Sequence, residues 1–279
     1  MKQETPQTES GIGLHVLDQA IALEPKGEDL WRGRTHPEYA NFIGPYGGVT
    51  AAQLLQAVLL HPQRLGEPVA FTINFAAAVA DGGFDVRARP ARTNRSTQHW
   101  VLEMLQDGQA VATGTAMTAL RRETWGATEA EVPRIPAPQD LPREAVRGVA
   151  WVRHYERRYA EGNVPAEWNG QGGPSSRTRL WLRDTPDRPL DFASLTAMAD
   201  NFFPRLWLRR ATQVPIGTVS MTVYFHADAE LLRATGTDYV LAQAQGQGFR
   251  NGYLDQTGQL WNRQGDLLAT THQLMYFKE

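Results

Sequence analysis

One carboxylate stands where chemistry could be done: Asp200, in the stretch Asp191 to Leu206, DFASLTAMADNFFPRL. Phe192, Leu195, Ala199 and Phe202 or Phe203 recur at helical spacing, which predicts a helix with one buried side and Asp200 beside that stripe in its last turn. Asp191 is placed to cap the helix start. Pro204 has no amide hydrogen, so the carbonyl of Asp200 loses its usual helical partner, and Phe203 is biased away from helix. The helix is expected to stop or kink just after the acid. Such an acid can be a cap, an ion-pair partner or a general base, and this stretch alone leaves all three open.

Other chemistries have less to stand on. The chain has no cysteine, which removes disulfides, thiolate nucleophiles and Cys-based metal sites. No G-x-S-x-G elbow, H-E-x-x-H helix or P-loop occurs. The seven histidines are scattered, so neither a metal nor a cofactor is expected. His226 lies beside aromatics on an expected strand, and alternation turns His272 away from the face of Gln273. Both read as structural. GQGFRNG, Gly246 to Gly252, opens no helix and reads as a bend or bulge.

At 279 residues the chain has room for one large domain or two ordinary ones. A net charge of -2 provides no global field for nucleic acid or a membrane surface, so neither is expected as a partner. Residues 1–10 are polar and lack the apolar centre of a signal peptide, and no apolar run reaches spanning length. A cytoplasmic location is the expectation.

The elements that must position Asp200 form a repeat. Leu14 to Leu23 alternates like a strand and could pair with Leu30 to Arg34. A GPYGG loop, Gly44 to Gly48, then precedes a helix from Val49 to His61, which Pro62 ends. Four strands follow, beginning near Val69, Phe84, His99 and Gln109, with turn signals at Asp81-Gly82-Gly83 and Asp107-Gly108. Arg121 to Arg147, centred on VPRIPAPQDLP, reads as a linker over the surface. Beyond it the order recurs: strands at Trp151 to Tyr159 and Thr178 to Arg183, the helix before Asp200, then four more strands ending in DLLATTHQLMYF. Residues 1–120 and 149–279 are thus expected to be two repeats joined by a Pro-rich linker at 121–148. One helix against an antiparallel sheet, twice, is an α+β arrangement.

Three motifs within that order carry a resemblance. They are ADNFFP around Asp200, GTVSMTVYFHA from Gly217 to Ala227, and LLATTHQL through Gln273. From about Trp31 to Phe277 the chain resembles the acyl-CoA thioesterase II family, whose fold is the double hotdog: two tandem repeats, each with one long helix packed on an antiparallel β-sheet. The resemblance implies a hydrolase with acyl-CoA as small-molecule substrate, in which Asp200 is the general base and Thr218 and Gln273 orient the attacking water. That division of labour suits a thioester, which is electrophilic enough to need no protein nucleophile. Gly47 and Gly48 open the first-half helix where substrate could approach closely and amides could serve an oxyanion. They could equally serve close packing. Phe202 and Phe203 could line an acyl tunnel or be plain core. The first half offers Gln56 or Leu55 opposite Asp200 and about Ala116 opposite Gln273, so one site per chain is expected.

Two departures limit the transfer of substrate preference. Ser220 stands where many members carry an acid, and AAAVADGG replaces an Arg-Pro-Gly segment. A homo-oligomer is expected. The alternatives are a non-catalytic acyl-CoA-binding or acyl-binding hotdog protein and, with less support because no His accompanies Asp200, an enoyl-CoA hydratase-type enzyme.

Overall fold

The computed structural model describes residues 13–279, so the polar opening stretch at 1–10 lies outside the described residues. The first half runs α1 (Val16–Ala20), β1 (Glu24–Pro25), β2 (Leu30–Arg34), α2 (Gly47–Leu59), β3 (Glu67–Phe75), β4 (Gly83–Thr93), β5 (Thr97–Gln106) and β6 (Gln109–Ala119). The second half runs β7 (Tyr155–Glu161), β8 (Thr178–Asp184), α3 (Phe192–Met198), α4 (Arg205–Arg210), β9 (Ile216–Phe225), α5 (Ala229–Thr235), β10 (Val240–Gln245), β11 (Phe249–Arg250), β12 (Tyr253–Trp261) and β13 (Leu267–Phe277). All strands join one antiparallel sheet in the order β1-β2-β4-β5-β6-β3-β9-β13-β12-β10-β8-β7, with β11 paired to β12.

The duplication is visible in that order. At the centre β3 lies against β9 with Thr72 opposite Thr222, 150 positions away, and their hydroxyls are 2.9 Å apart. Outward from this pair, β6 is matched by β13, β5 by β12, β4 by β10 and β2 by β8. Strand alternation sets the core face: along β5, Gln98, Trp100, Leu102 and Met104 are buried while Val101 is exposed. Against that face lie α2 and α3, which pack on each other. α2 is buried on nearly every side, with Val49, Ala51, Leu54, Leu55 and Val58 all inaccessible, so it is a central core helix rather than a surface amphipath.

Four elements differ from the sequence expectations. Leu14 to Leu23 contains the short helix α1; its buried residues Leu17, Ala20 and Ile21 follow helical spacing, which outweighs the apparent alternation. Ala150–His154 is a 3₁₀ turn ahead of β7, and it stacks Trp151 on Tyr46 at 4.1 Å between ring centres. The second-half helix is not one long element: α3 has seven residues against thirteen in α2, and α4 begins anew after Pro204. The short helix α5, capped by Asp228 accepting from the Leu231 amide, has no counterpart in the strand run of the first half.

The segment between β6 and β7 lies over the second-half sheet. Ala130, Ile135 and Leu141 pack on a cluster of Trp181, Leu241 and Trp261, and the Trp181 indole donates to the Pro136 carbonyl at 2.9 Å. Burial of those two indoles explains why a polar, Pro-rich stretch holds a fixed path.

Candidate active site

Local sequence ends α3 just before Asp200. Asp191 caps its start by accepting from the Ser194 amide at 2.8 Å, as its type predicts. Every residue from Phe192 to Met198 is buried. The last turn tightens: the Asp200 amide donates to the Ala197 carbonyl at 3.2 Å and that of Asn201 to Met198 at 3.0 Å. Pro204 then opens α4. Asp200 therefore sits on the turn just past the helix, one step beyond the last-turn position expected.

The start of α2 meets that turn. A side chain on Gly48 would put its Cβ 2.5 Å from the Ala197 carbonyl oxygen, and one on Gly47 would sit 2.8 Å from Asp200 Oδ2. Only glycine lets the two helix ends approach this closely. Tyr46 closes the seam by donating from its hydroxyl to the Ala197 carbonyl at 2.6 Å. The Gly48 amide lies close enough to the Asp200 carboxylate to lower its pKa, which places the acid at the positive end of a thirteen-residue helix.

Gln273 comes from β13. Its Nε2 donates to Asp200 Oδ1 at 3.0 Å and lies 3.3 Å from the Ala199 carbonyl, while its Oε1 is buried without a protein partner. In the sheet Gln273 faces Met221, as Ala116 faces Phe71 in the first half. The related position in the other repeat thus carries a methyl group.

Burial pushes the Asp200 carboxyl up to about 7, and the hydrogen bonds from Gln273 and Gly48 pull it down only in part. Among the described residues no cationic side chain enters its surroundings, which leaves the ion-pair reading of this acid without a partner there. The residue as a whole keeps some accessible surface. An acid with these properties can take a proton from water near neutrality.

Thr218 is not bonded to this pair. A bulge between Leu274 and Met275 in the pairing of β9 with β13 places Thr218 opposite Met275. Without the extra residue, Thr218 would face away from Met221; with it, Thr218 returns to the Gln273 face, one inward position along β13. It is half-buried there. Phe202 packs toward Gly258 and Thr271, beside Gln273 on the sheet, whereas Phe203 stacks on Trp207 and under the Arg205 guanidinium. The Arg205 guanidinium also lies over the Phe202 ring, at 5.8 Å from its centre, so the two phenylalanines share that neighbour and differ in that Phe202 reaches the sheet at Gly258.

Sequence reasoning passed over three polar neighbours. Asn201 is buried with neither amide atom paired, and Gln256, directly opposite Gln273 on β12, is likewise buried and unpaired. Thr271 Oγ1 is a third such atom. Buried polar groups normally find partners, so this cluster marks a polar interior beside the carboxylate. The inward register Leu254, Gln256, Gly258, Leu260 was the available signal, since a glutamine on a core face is unusual. Among the described residues no group of three or more His, Cys, Asp or Glu is arranged to hold a metal ion. No helix among them is long and apolar enough to cross a membrane.

A duplicated sheet with one acid at the seam of two helix ends defines a hotdog-fold protein of the double, single-chain kind. Residues 36–119 match the model for the acyl-CoA thioesterase N-terminal domain and residues 129–277 that for the acyl-CoA thioesterase C-terminal domain. The chain belongs to this acyl-CoA thioesterase family.

Among solved structures, a conserved hot-dog-fold protein of unknown function from Alicyclobacillus acidocaldarius is 45% identical. The match covers 96% of this chain and 99% of that one, with a TM-score of 0.91. The tesB protein of Mycobacterium avium subsp. paratuberculosis is 20% identical over 94% of this chain and 98% of its own, with a TM-score of 0.76. The acyl-CoA thioesterase II TesB2 from Mycobacterium marinum is 16% identical over 94% and 98%, with a TM-score of 0.75. The two mycobacterial likenesses are likenesses of fold. No curated protein sequence matches the chain.

Proposed function

We propose that the chain is an acyl-CoA thioesterase in which Asp200 is the general base. The observation that carries this is the Asp200 carboxylate itself: among the described residues it has no cation beside it, it is raised to about 7, and it is held by Gln273 at the meeting point of α2 and α3. Asp200 accepts a proton from water as the water oxygen attacks the thioester carbonyl. Gln273, whose Nε2 is committed to Asp200, has Oε1 free to accept the second water hydrogen. Thr218 completes the orientation from the same sheet face. The tetrahedral oxyanion collapses with cleavage of the C–S bond, and the proton on Asp200 passes to the departing thiolate, giving CoA and a carboxylic acid.

The Gly48 amide is turned toward Asp200 and lowers its pKa, so the Gly47 amide is the helix-start donor we assign to the oxyanion. Phe202 borders the acyl end.

The test is CoA release measured over short, medium, long and aromatic acyl-CoAs. Hydrolysis of at least one class is expected. Binding of acyl-CoA with no turnover on any of them would replace this reading with that of an acyl-CoA-binding protein.

Two further results are expected. Because the base must be ionised, kcat/KM should rise with pH through about 7 and level off above it, falling roughly tenfold per unit on the acid side. A profile flat across that region would remove Asp200 as base. Gln273→Ala removes a donor to the carboxylate, so kcat/KM should fall roughly 10- to 100-fold. The acid limb should move to higher pH, because the Gln273 hydrogen bond is one of the two interactions that lower the Asp200 pKa. An unmoved limb would show that Gln273 does not touch the base.

A further inference from the structure

At the end of the second-half sheet, where β13 runs out, an open basin of about 630 Å³ lies between α4 and the turn joining β11 to β12. Its charged lining is uneven. Arg209 and Arg210 enter from α4 and Arg250 from the turn, while Glu279 is the one carboxylate. Glu279 pairs with Arg210, and Arg209 donates to the Pro174 carbonyl. Three guanidinium groups therefore face one carboxylate, and Arg250 is exposed. Phe249 and Phe277 form the apolar part of the lining and pack on the Leu206, Leu254 and Met275 cluster beneath. Guanidinium forks match phosphate oxygens, and ring faces accept a purine.

The basin stands at a definite remove from Asp200. Gln273, Met275 and Phe277 share one face of β13, so the basin floor is four residues beyond the glutamine that holds the base, about 13 Å along the strand. The pantetheine arm of CoA is an amide-linked chain comparable to four or five extended residues, about 14–17 Å. Between the two points, Ile216 and Thr218 of β9 share that face, paired with Phe277 and Met275, and both keep partial exposure, whereas Met221 and Val223 are buried. An extended arm therefore has a partly open strand to follow.

We propose that this basin holds the 3′-phosphorylated adenosine diphosphate end of acyl-CoA, with Arg250 and Arg209 as phosphate contacts and Phe249 or Phe277 against the adenine. The assignment rests on the thioesterase reading for its orientation, but its ligand chemistry can be tested separately.

The probe is adenosine 3′,5′-bisphosphate, titrated calorimetrically into the full chain and into the Arg209→Gln/Arg250→Gln double variant. In parallel, kcat/KM is compared for one acyl group carried on CoA and on N-acetylcysteamine, which lacks the nucleotide. The wild type should bind the bisphosphate, more weakly as salt is raised. The double variant should bind it about 10- to 100-fold less tightly, and its preference for the CoA ester over the cysteamine ester should fall by a similar factor. Both arginine side chains are on the surface, and matching melting temperatures will show that the variant is folded.

Equal bisphosphate binding by the two proteins, or an unchanged preference for the CoA ester, would overturn the basin assignment while leaving the hydrolase intact. Arginine-dependent bisphosphate binding with neither ester hydrolysed would keep the basin and remove the hydrolase. A wild type that hydrolyses both esters equally well would also overturn the basin, because its nucleotide contacts would then contribute nothing.

Discussion

Asp200→Asn should lower kcat/KM for acyl-CoA hydrolysis by about 10²- to 10⁴-fold, the range over which a positioned general base contributes. The substitution keeps the shape of the side chain and leaves an oxygen to accept from Gln273 or Gly48. What it removes is the capacity to take a proton. Loss of activity through misfolding is separable, because the expected change in stability has the opposite sign. The folded state raises this carboxyl from its ordinary value near 4 to about 7, so over that window the native protein binds a proton that the unfolded chain does not. Stability conferred by the acid therefore declines as pH rises from 4 to 7 and stays lower above. Asparagine carries no such penalty. Above pH 7 the variant should be at least as stable as the wild type to denaturant while nearly inactive. Wild-type rates in a folded Asn variant would remove Asp200 from the mechanism.

Asp184 has a similarly raised value, about 7, and is a useful contrast. It is 2% exposed and accepts from the Ser194 hydroxyl in the first turn of α3, so its raised pKa reflects enclosure. Asp200 keeps accessible surface, a glutamine partner with a free acceptor and a glycine helix start. A shifted pKa alone would not choose between the two carboxyls; access to water and the neighbouring groups do.

What the sequence made legible was local or periodic. Asp191 as a cap and the Asp107-Gly108 turn each depend on the conformational preferences of a few adjacent residues, and each is found, whereas Pro204, expected to stop the helix after Asp200, instead caps the start of α4, α3 having ended at Met198. The repeat was legible because strand runs recur at one spacing, and Thr72 opposite Thr222 shows that spacing in space. Contacts between distant segments were not legible from such preferences. Gln273 reaches Asp200 across 73 positions, and its selection came from family resemblance rather than periodicity. The bulge that turns Thr218 inward inserts one residue into an otherwise regular strand, which simple alternation assigns to the wrong face. Gln256 and Asn201 were missed because a buried amide looks like a surface amide until its neighbours are known. The same limit explains α1, whose short apolar run fits two periods.

Gly48→Ala should damage the protein more broadly than any substitution of a reacting group, and the structure says where. In the middle of an exposed helix, alanine for glycine is stabilising by up to about 1 kcal/mol, so helix propensity alone predicts a gain. Here the added methyl would lie 2.5 Å from the Ala197 carbonyl oxygen and 2.5 Å from the Tyr46 ring. Neither neighbour yields easily: the carbonyl belongs to the backbone of α3, and the ring is stacked on Trp151 while its hydroxyl is bonded to that same carbonyl. Relief requires the helix ends to separate, and overpacking of this kind typically costs about 1–3 kcal/mol. Separation also draws the Gly48 amide away from the Asp200 carboxylate and widens the seam on which the water must be held. The expected result is a lower denaturant midpoint together with a loss of kcat/KM of at least about tenfold, since small misplacements of reacting groups are costly. Gly47→Ala is the informative partner. Its methyl would meet the carboxylate, at 2.8 Å from Oδ2, rather than backbone, so activity should fall with a smaller change in midpoint. Equal stability losses for the two variants would mean that the seam is looser than these distances require; a Gly48→Ala protein of wild-type midpoint and activity would show that α2 and α3 do not meet there.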